Sequence, residues 1–268
     1  MELNSKDIQI IDLTPDNIAQ YGVCGYKDIN KHLELRRKVD WVKKYYPKGL
    51  RIKSLISKTG GYQGMLEYIP GEYAHRPVNA KGYMFIHCLF VGFKKEFKGK
   101  GYASLLLDEC IKDSKKEKMN GVAVVTRNGS FMAKKDIFIK KGFSVIENHN
   151  PDFELLVLKF NNKASNPNFI QNSLEHYSDN LTIMRSPQCP YSVKNVEAII
   201  QTANKMKLKP TLIEMNDSES TQKSPCAFGS FCIINEGNIL SHHPISNTRF
   251  ENIMKKESKA NARTNKKK

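Results

Sequence analysis

Residues 85–111 read FIHCLFVGFKKEFKGKGYASLLLDECI. Residues 85–91 are an apolar run of strand length. Lys94, Lys95, Lys98 and Lys100 then crowd around Gly99 and Gly101. Beyond them Ala103, Leu105, Leu106, Leu107, Cys110 and Ile111 recur at helical spacing. The order is strand, basic glycine loop, helix. A helix N-terminus leaves backbone N–H groups unpaired and carries partial positive charge. Glycines let the backbone close on a ligand without a Cβ in the way. Together these features make a cradle for an anion, with a pyrophosphate as the best fit; the plainer alternative is a solvated basic turn.

Outward from this stretch, residues 8–13 predict a first strand and 28–46 a helix that ends at Pro47-Lys48-Gly49. Residues 50–57 and 62–69 alternate as strands around a turn at 58–61. Residues 70–82 read as a loop. After the glycine loop come a helix over 104–118, a buried strand at 121–126 and a helix over 131–141. Strands at 143–147 and 153–160 complete the sheet. This is an α/β fold with a mixed sheet, filling residues 1–160. The asparagine-rich stretch 161–179 predicts a linker, and 180–256 a second, smaller α/β domain. Residues 257–268 read as a basic, disordered tail.

At 268 residues the chain can bury one large core or two modest ones. Its net charge of +16 invites a nucleic-acid reading. Much of that excess sits in the tail from Lys255 onward, and no nucleic-acid-binding motif accompanies it. A nucleic-acid partner is therefore not expected. No long uncharged apolar run predicts a membrane span. The N-terminus lacks the basic start and apolar core of a secretory signal, so a cytoplasmic setting is expected. None of the six cysteines forms a Cys-x-x-Cys pair, so no zinc ribbon is expected and the thiols should be free.

The segment Glu96-Phe97-Lys98-Gly99-Lys100-Gly101 resembles the acyl-CoA loop of the GNAT N-acetyltransferases, whose pattern is Gln/Arg-x-x-Gly-x-Gly/Ala. Glu96 departs from it at the first position. Downstream, GVAVVTRNGSFMAKKDIFIKKGF (121–143) resembles that family's strand, Asn-bearing turn and helix ending in Gly-Phe. LEYIPGEYAHRPVNAKGYMFIHCL (66–89) resembles the YoaP-like subgroup, which also carries a C-terminal extension. The resemblance implies acetyl-CoA as co-substrate and a small-molecule amine as acceptor, joined in a ternary complex. It implies that Leu89, Phe90 and Val91 line the pantetheine and acetyl group. It further implies that the amides of Lys98, Gly99, Lys100, Gly101, Tyr102 and Ala103 hold the pyrophosphate. Asn128 matches the cofactor-contacting turn residue, or is a simple turn former. The tyrosine that protonates the leaving thiolate in many members falls at Phe138, which cannot donate. Water, the substrate ammonium, Ser130 or Tyr73 would take that part.

Acetyl transfer also needs a base for the amine. Glu67 is the first candidate, Glu72 the second and His87 the third. Tyr73, His75 and Arg76 are candidates for acceptor binding. Arg76 would point to a carboxylate or phosphate on the acceptor, or else pair with Glu67 or Glu72.

In the second domain a strand, Cys189-Pro190-Tyr191-Ser192, a helix, a strand, Ser224-Pro225 and two strands resemble the thioredoxin/glutaredoxin fold. Cys189 would then stand at the helix start, faced by a cis Pro225. Ser192 occupies the place of the second thiol, which leaves monothiol chemistry, or a module used for binding or homodimerisation. The competing functional readings are thus a thiol-transfer protein centred on Cys189 and a CoA-binding sensor without catalysis.

Overall fold

In the computed structural model, residues 7–92 and 94–265 are described. Strand β1 (Ile8–Leu13), the short α1 (Ile18–Tyr21) and α2 (Leu33–Tyr45) open the chain. Then follow β2 (Arg51–Ser57), β3 (Gly61–Gly71), β4 (Val78–Val91), α3 (Tyr102–Lys116) and β5 (Gly121–Arg127). A single turn, α4 (Asp136–Ile139), leads to β6 (Ser144–His149), β7 (Phe153–Lys159) and the short β8 (Asn168–Phe169). The strands form one sheet in the order β1-β2-β3-β4-β5-β7-β6, with β8 added beside the start of β4. All neighbours are antiparallel except β4 and β5, which the α3 crossover makes parallel.

The C-terminal module comprises β9 (Thr182–Arg185), α5 (Pro190–Lys194), α6 (Val196–Lys205), β10 (Thr211–Glu214) and α7 (Ser218–Gln222). It closes with β11 (Phe231–Asn235), β12 (Asn238–Ser241) and α8 (Asn247–Asn265). Its sheet runs β10-β9-β11-β12, parallel in the first pair and antiparallel in the others.

Strand alternation decides where everything packs. Met84 and Ile86 of β4, Val122 and Val124 of β5, and Leu156 of β7 face α3, which covers them with Leu106, Leu107 and Cys110. Phe85, Ala123, Val125, Phe153, Leu155 and Val157 point to the opposite face. There they share one core with Ile183, Ile199, Phe228, Ile233 and Phe250 of the C-terminal module. Helix α2 covers the same face further along, over Ile52, Met65 and Ile69.

Several boundaries differ from those the sequence predicts. The helix expected over 28–46 starts at Leu33, because the Asp28 carboxylate accepts the N–H groups of Asn30 and Lys31 and holds a turn there. The helix expected over 131–141 is one turn long, preceded by Phe131 in a left-handed conformation (φ 68°). The stretch read as a linker is a strap. Phe169 is buried, pairs with Val78, and donates its N–H to Glu147 Oε2. Helix α8 runs on to Asn265, past the expected end at Lys256, so residues 257–265 are helical and not disordered; 266–268 lie outside the described residues. The Ser224–Pro225 bond is trans. The two expected domains share a core and do not stand apart.

Burying a Phe, Leu or Val side chain contributes about 1.5–3 kcal/mol. The sheet face under the C-terminal module holds enough of them to match the about 5–15 kcal/mol that typically stabilises a whole domain. A chain ending at residue 165 is therefore expected to aggregate or to melt without a cooperative transition, checked by light scattering and circular dichroism. A soluble truncate that melts cooperatively would contradict the shared core.

Candidate active site

Strand β4 pairs with β3 along its length, through Leu66↔Leu89, Met65↔Phe90 and Gly64↔Val91. It pairs with β5 only at Met84, Phe85 and Ile86. Past Ile86 the two parallel strands diverge. β5 goes on pairing with β7 as far as Arg127↔Phe153, so a wedge opens between it and the end of β4. The chain leaves this wedge through the glycine loop and enters α3. Gly99 (φ 72°) and Gly101 (φ 79°) are left-handed, and a Cβ on either would meet nothing within 4 Å. Gly101 is the N-cap of a 15-residue helix and offers no side-chain cap to its first-turn amides. Lys98 and Lys100 are exposed beside them, while Tyr102 is turned inward against Phe97. The loop is thus an open, positively charged set of amides at the mouth of a strand wedge, suited to a diphosphate.

The expected base, Glu67, has a different place. Alternation puts it with Met65 and Ile69 on the face covered by α2, where it is fully buried. Its Oε2 pairs with the Lys38 ammonium of α2. Its Oε1 accepts from Gln188 Nε2 (2.8 Å) and lies 3.1 Å from His87 Nδ1. Lys38 also donates to the Gln188 carbonyl (2.5 Å) and sits 4.0 Å above the Trp41 ring. Burial alone would raise the Glu67 carboxyl, but Lys38 and His87 outweigh it and hold the group at about 2. An ionised carboxylate so fully engaged does not face a substrate.

His87 is the extra residue at a bulge, since Glu67 pairs with Cys88 and Tyr68 with Ile86. Its Nε2 accepts the His75 N–H (2.8 Å), so the proton lies on Nδ1 and is given to Glu67. Burial lowers it to about 4, although Glu67 pulls the other way. His75 Nε2 accepts from Trp41 Nε1 (2.9 Å), and burial pushes its pKa far down. Both imidazoles are neutral fixtures of the interior.

Arg76 donates to the carbonyls of His75 (2.9 Å) and His87 (3.2 Å) and lies over the Phe228 ring. Among the described residues it has no carboxylate within ion-pair distance, so neither expected pairing forms. Tyr73 is half-buried with the Lys48 ammonium 5.1 Å from its ring. Glu72 is exposed on the loop, where its carbonyl accepts from Gln222. His75 and Arg76 thus lie at the seam with the C-terminal module. Phe138 is wholly buried against Phe143, and Ser130 is exposed. Asn128 lines a separate polar groove of about 780 Å³ with Lys135, Asn172 and His242, away from the glycine loop.

A cavity of about 300 Å³ lies where the β4 end meets the C-terminal module. The rings of Tyr62, Phe90, Phe131 and Tyr191 enclose it, with Leu89 and Met132. The thiols of Cys24, Cys88 and Cys189 also line it. Tyr191 ties the module down by donating to the Cys24 carbonyl (3.0 Å). Cys189 thus opens onto the same space as the end of β4, while Ser192 is buried against the module. Burial raises the Cys189 thiol; Lys38, the amides of Tyr191 and Ser192, and Arg76 oppose that rise.

Sequence reasoning missed Lys38, Gln188, Cys24 and Cys88. Lys38 carried a readable signal: it shares the stripe of Leu35, Val39 and Val42, where a lone lysine implies a buried acid. Also missed was Cys226, whose Sγ lies 3.1 Å from His242 Nδ1 and is hydrogen-bonded to Cys232. Burial opposes ionisation of Cys226, but these two partners bring its pKa down. No His, Cys, Asp and Glu group among the described residues is arranged to hold a metal ion. No described helix is long and apolar enough to cross a membrane.

Comparison with solved structures finds similarity to PaiA N-acetyltransferase from Thermoplasma acidophilum in complex with coenzyme A. It is 14% identical, with a TM-score of 0.40, covering 57% of this chain and 99% of that one. A GNAT family acetyltransferase from Brucella melitensis in complex with acetyl-CoA is 14% identical, with a TM-score of 0.38, covering 62% and 96%. Residues 211–252 match the YoaP-like family model. Over 250 residues the chain is 28% identical to the "Uncharacterized N-acetyltransferase YoaP" of Bacillus subtilis (strain 168), covering 91% of this chain and 97% of that protein. The chain is thus similar over nearly its whole length to a protein named as an N-acetyltransferase.

Removing one member of a buried ion pair costs about 3–5 kcal/mol, because the other charge is stranded. Lys38→Met and Glu67→Gln are each expected to destabilise by about that much, and the double variant to recover most of the loss, read by urea unfolding. The pH dependence follows from His87. Its folded value of about 4 lies below the ordinary 6.5, so the unfolded chain binds the proton first. Its contribution is complete above pH 6.5 and is lost as pH falls through 4, and His87→Asn should flatten that part of the Tm profile. Glu67 adds a second loss below 4.5, towards 2.

Proposed function

We propose that the chain is an acetyl-CoA-dependent N-acetyltransferase acting on a small amine. The observation that carries this reading is the divergence of β4 from β5 directly above a glycine cradle with open space over it. The diphosphate of coenzyme A lies on the amides of Lys98 to Ala103. The pantetheine runs along Leu89, Phe90 and Val91, extended beside β4. The thioester then reaches the cavity at the seam.

The cavity walls guide the choice of acceptor. They are aromatic and aliphatic, and Arg76 is engaged below them. The acceptor is accordingly an amine with an apolar or aromatic body, without the carboxylate that Arg76 suggested from sequence. Glu67 and His87 act as positioning residues, holding α2, β3, β4 and Gln188 in register around the cavity. Deprotonation of the amine and protonation of the leaving sulfur pass through solvent or the substrate itself, since Phe138 cannot donate and Glu72 is remote.

The C-terminal module is read as thioredoxin-like. Its β-α-β-α-β-β-α order, with one parallel and two antiparallel strand pairs, supports that reading. In this reading the module walls the acceptor site with Cys189 and Tyr191. Association into a homodimer and a cytoplasmic setting belong to the same reading.

Saturating acetyl-CoA should raise Tm by several degrees, because a ligand at 100 times Kd stabilises by about 2.7 kcal/mol. Gly101→Val should weaken that shift at least ~tenfold in ligand concentration, while costing only about 1–2 kcal/mol for the left-handed backbone. Coenzyme A release with hydrophobic amines, monitored with a thiol reagent, should exceed that with amino acids. No shift with acetyl-CoA would refute the donor assignment.

A further inference from the structure

The loop between β5 and α4 borders two spaces. On one side Phe131 and Met132 line the cavity of about 300 Å³ at the seam. On the other, Asn128 and Lys135 line the polar groove of about 780 Å³. The Phe131 ring stands between them. Its centroid is 5.6 Å from that of Tyr191, which walls the cavity. It is 5.7 Å from that of His243, the neighbour of the groove residue His242. Tyr191 and His243 both belong to the C-terminal module, which therefore holds the ring from two sides.

Stability does not account for an aromatic residue at this position. The Phe131 φ of 68° is one that glycine adopts freely and a bulky residue only at a cost. The side chain is also 44% exposed, so much of its apolar surface stays in water. Strain of this kind persists where the surrounding structure over-determines it, and it gathers at functional sites. The two spaces that the ring divides differ in chemistry. Tyr62, Leu89, Phe90 and Met132 make the cavity largely apolar. In the groove Lys135 is paired with Glu154 (2.6 Å) and Asp152 with Arg127 (2.7 Å), and Asn128, Asn148, Asn150 and Asn172 add carboxamides. Such a lining suits uncharged hydrogen-bonding groups, hydroxyls and amides above all.

The geometry points to Phe131 as the residue that sets the length of the acceptor, by closing the seam cavity off from the polar groove. This rests on the acetyl-CoA reading above. With the ring in place, an amine has to fit its whole body within the cavity, and a tail on it runs into the wall that Phe131 and Tyr191 make. With the ring removed, the two spaces join. A hydroxyl- or ether-bearing tail then finds partners among the groove's carboxamides in place of the water it loses. Phe131 thus determines specificity by exclusion: it acts against long acceptors and adds little to the binding of short ones.

Two amines test this on the full-length protein: phenethylamine, and phenethylamine extended from its para position by a tri(ethylene glycol) tail ending in a hydroxyl. The wild type is expected to favour the short amine at least ~tenfold in kcat/KM. Phe131→Gly, which suits the left-handed backbone, should bring the two within about threefold by raising turnover of the long amine. Phe131→Tyr keeps a ring and should keep the wild-type ratio. Partial unfolding lowers both rates alike and leaves the ratio unmoved, and the thermal shift with acetyl-CoA checks the fold of each variant. Where turnover is too slow to follow, equilibrium dialysis of both amines against the protein loaded with coenzyme A gives the same ratio. A protein that shifts with acetyl-CoA but has one ratio in wild type and Phe131→Gly overturns the partition and leaves the donor reading standing. A wild type that takes the long amine as well as the short one does the same, as does binding of neither amine to any of the three proteins. The absence of any thermal shift removes both.

Discussion

From β4 onward the large sheet is apolar on both faces, and a sheet of that kind has to be covered twice. Helix α3 covers the side of Met84, Ile86 and Val124. Helix α2 reaches only the face of β2 and β3, leaving Phe85, Val125, Phe153 and Leu155 to the C-terminal module. The strap at β8 and the close approach of the module's loop follow from this need. Gly229 illustrates how near the two parts come: a Cβ there would stand 2.5 Å from the His75 carbonyl oxygen. Apolar burial has no direction, so it brings the module onto the sheet without fixing its orientation.

Orientation comes from the polar contacts inside the seam. Lys38 and Glu67 lose their water entirely, and a pair in low dielectric is tolerable only when its remaining hydrogen-bonding capacity is met. Gln188 meets it on both sides, with its amide on Glu67 and its carbonyl on Lys38. Further out, Glu214 of the module is shared by Arg37 of α2 and Arg185 of β9, and the Ser218 N–H donates to the Tyr45 hydroxyl. A shifted module would leave buried charges without partners. The seam is thus specified by the cost of getting it wrong, and Cys189 and Tyr191 are held over the end of β4 as a consequence.

The site divides its work between backbone and side chains. The cradle is made of main-chain groups, offered because a helix begins at a glycine. The cavity at the seam is lined by side chains from four further stretches, near Cys24, Tyr62, Phe131 and Tyr191. The first part suits a donor with a constant diphosphate and pantetheine. The second, in the proposed function, takes the amine.

The sequence by itself determined the strand–glycine loop–helix unit and the order of nearly all elements, because these depend on local periodicity and on glycine's freedom at positive φ. Its resemblance in residues 66–143 also pointed to the donor. The roles of Glu67, His75, Arg76 and His87 could not be read in this way. Each is a polar residue in or beside a strand, and only the packing of α2 and the C-terminal module turned them from solvent or substrate to one another. Likewise, residues 161–179 look like a linker in composition, yet Phe169 docks because the sheet edge beside Val78 was open. The meeting of Cys189 with the end of β4, 100 residues away along the chain, was decided by tertiary structure alone. Sequence pattern records which face of an element is apolar, and only the folded chain records what that face meets.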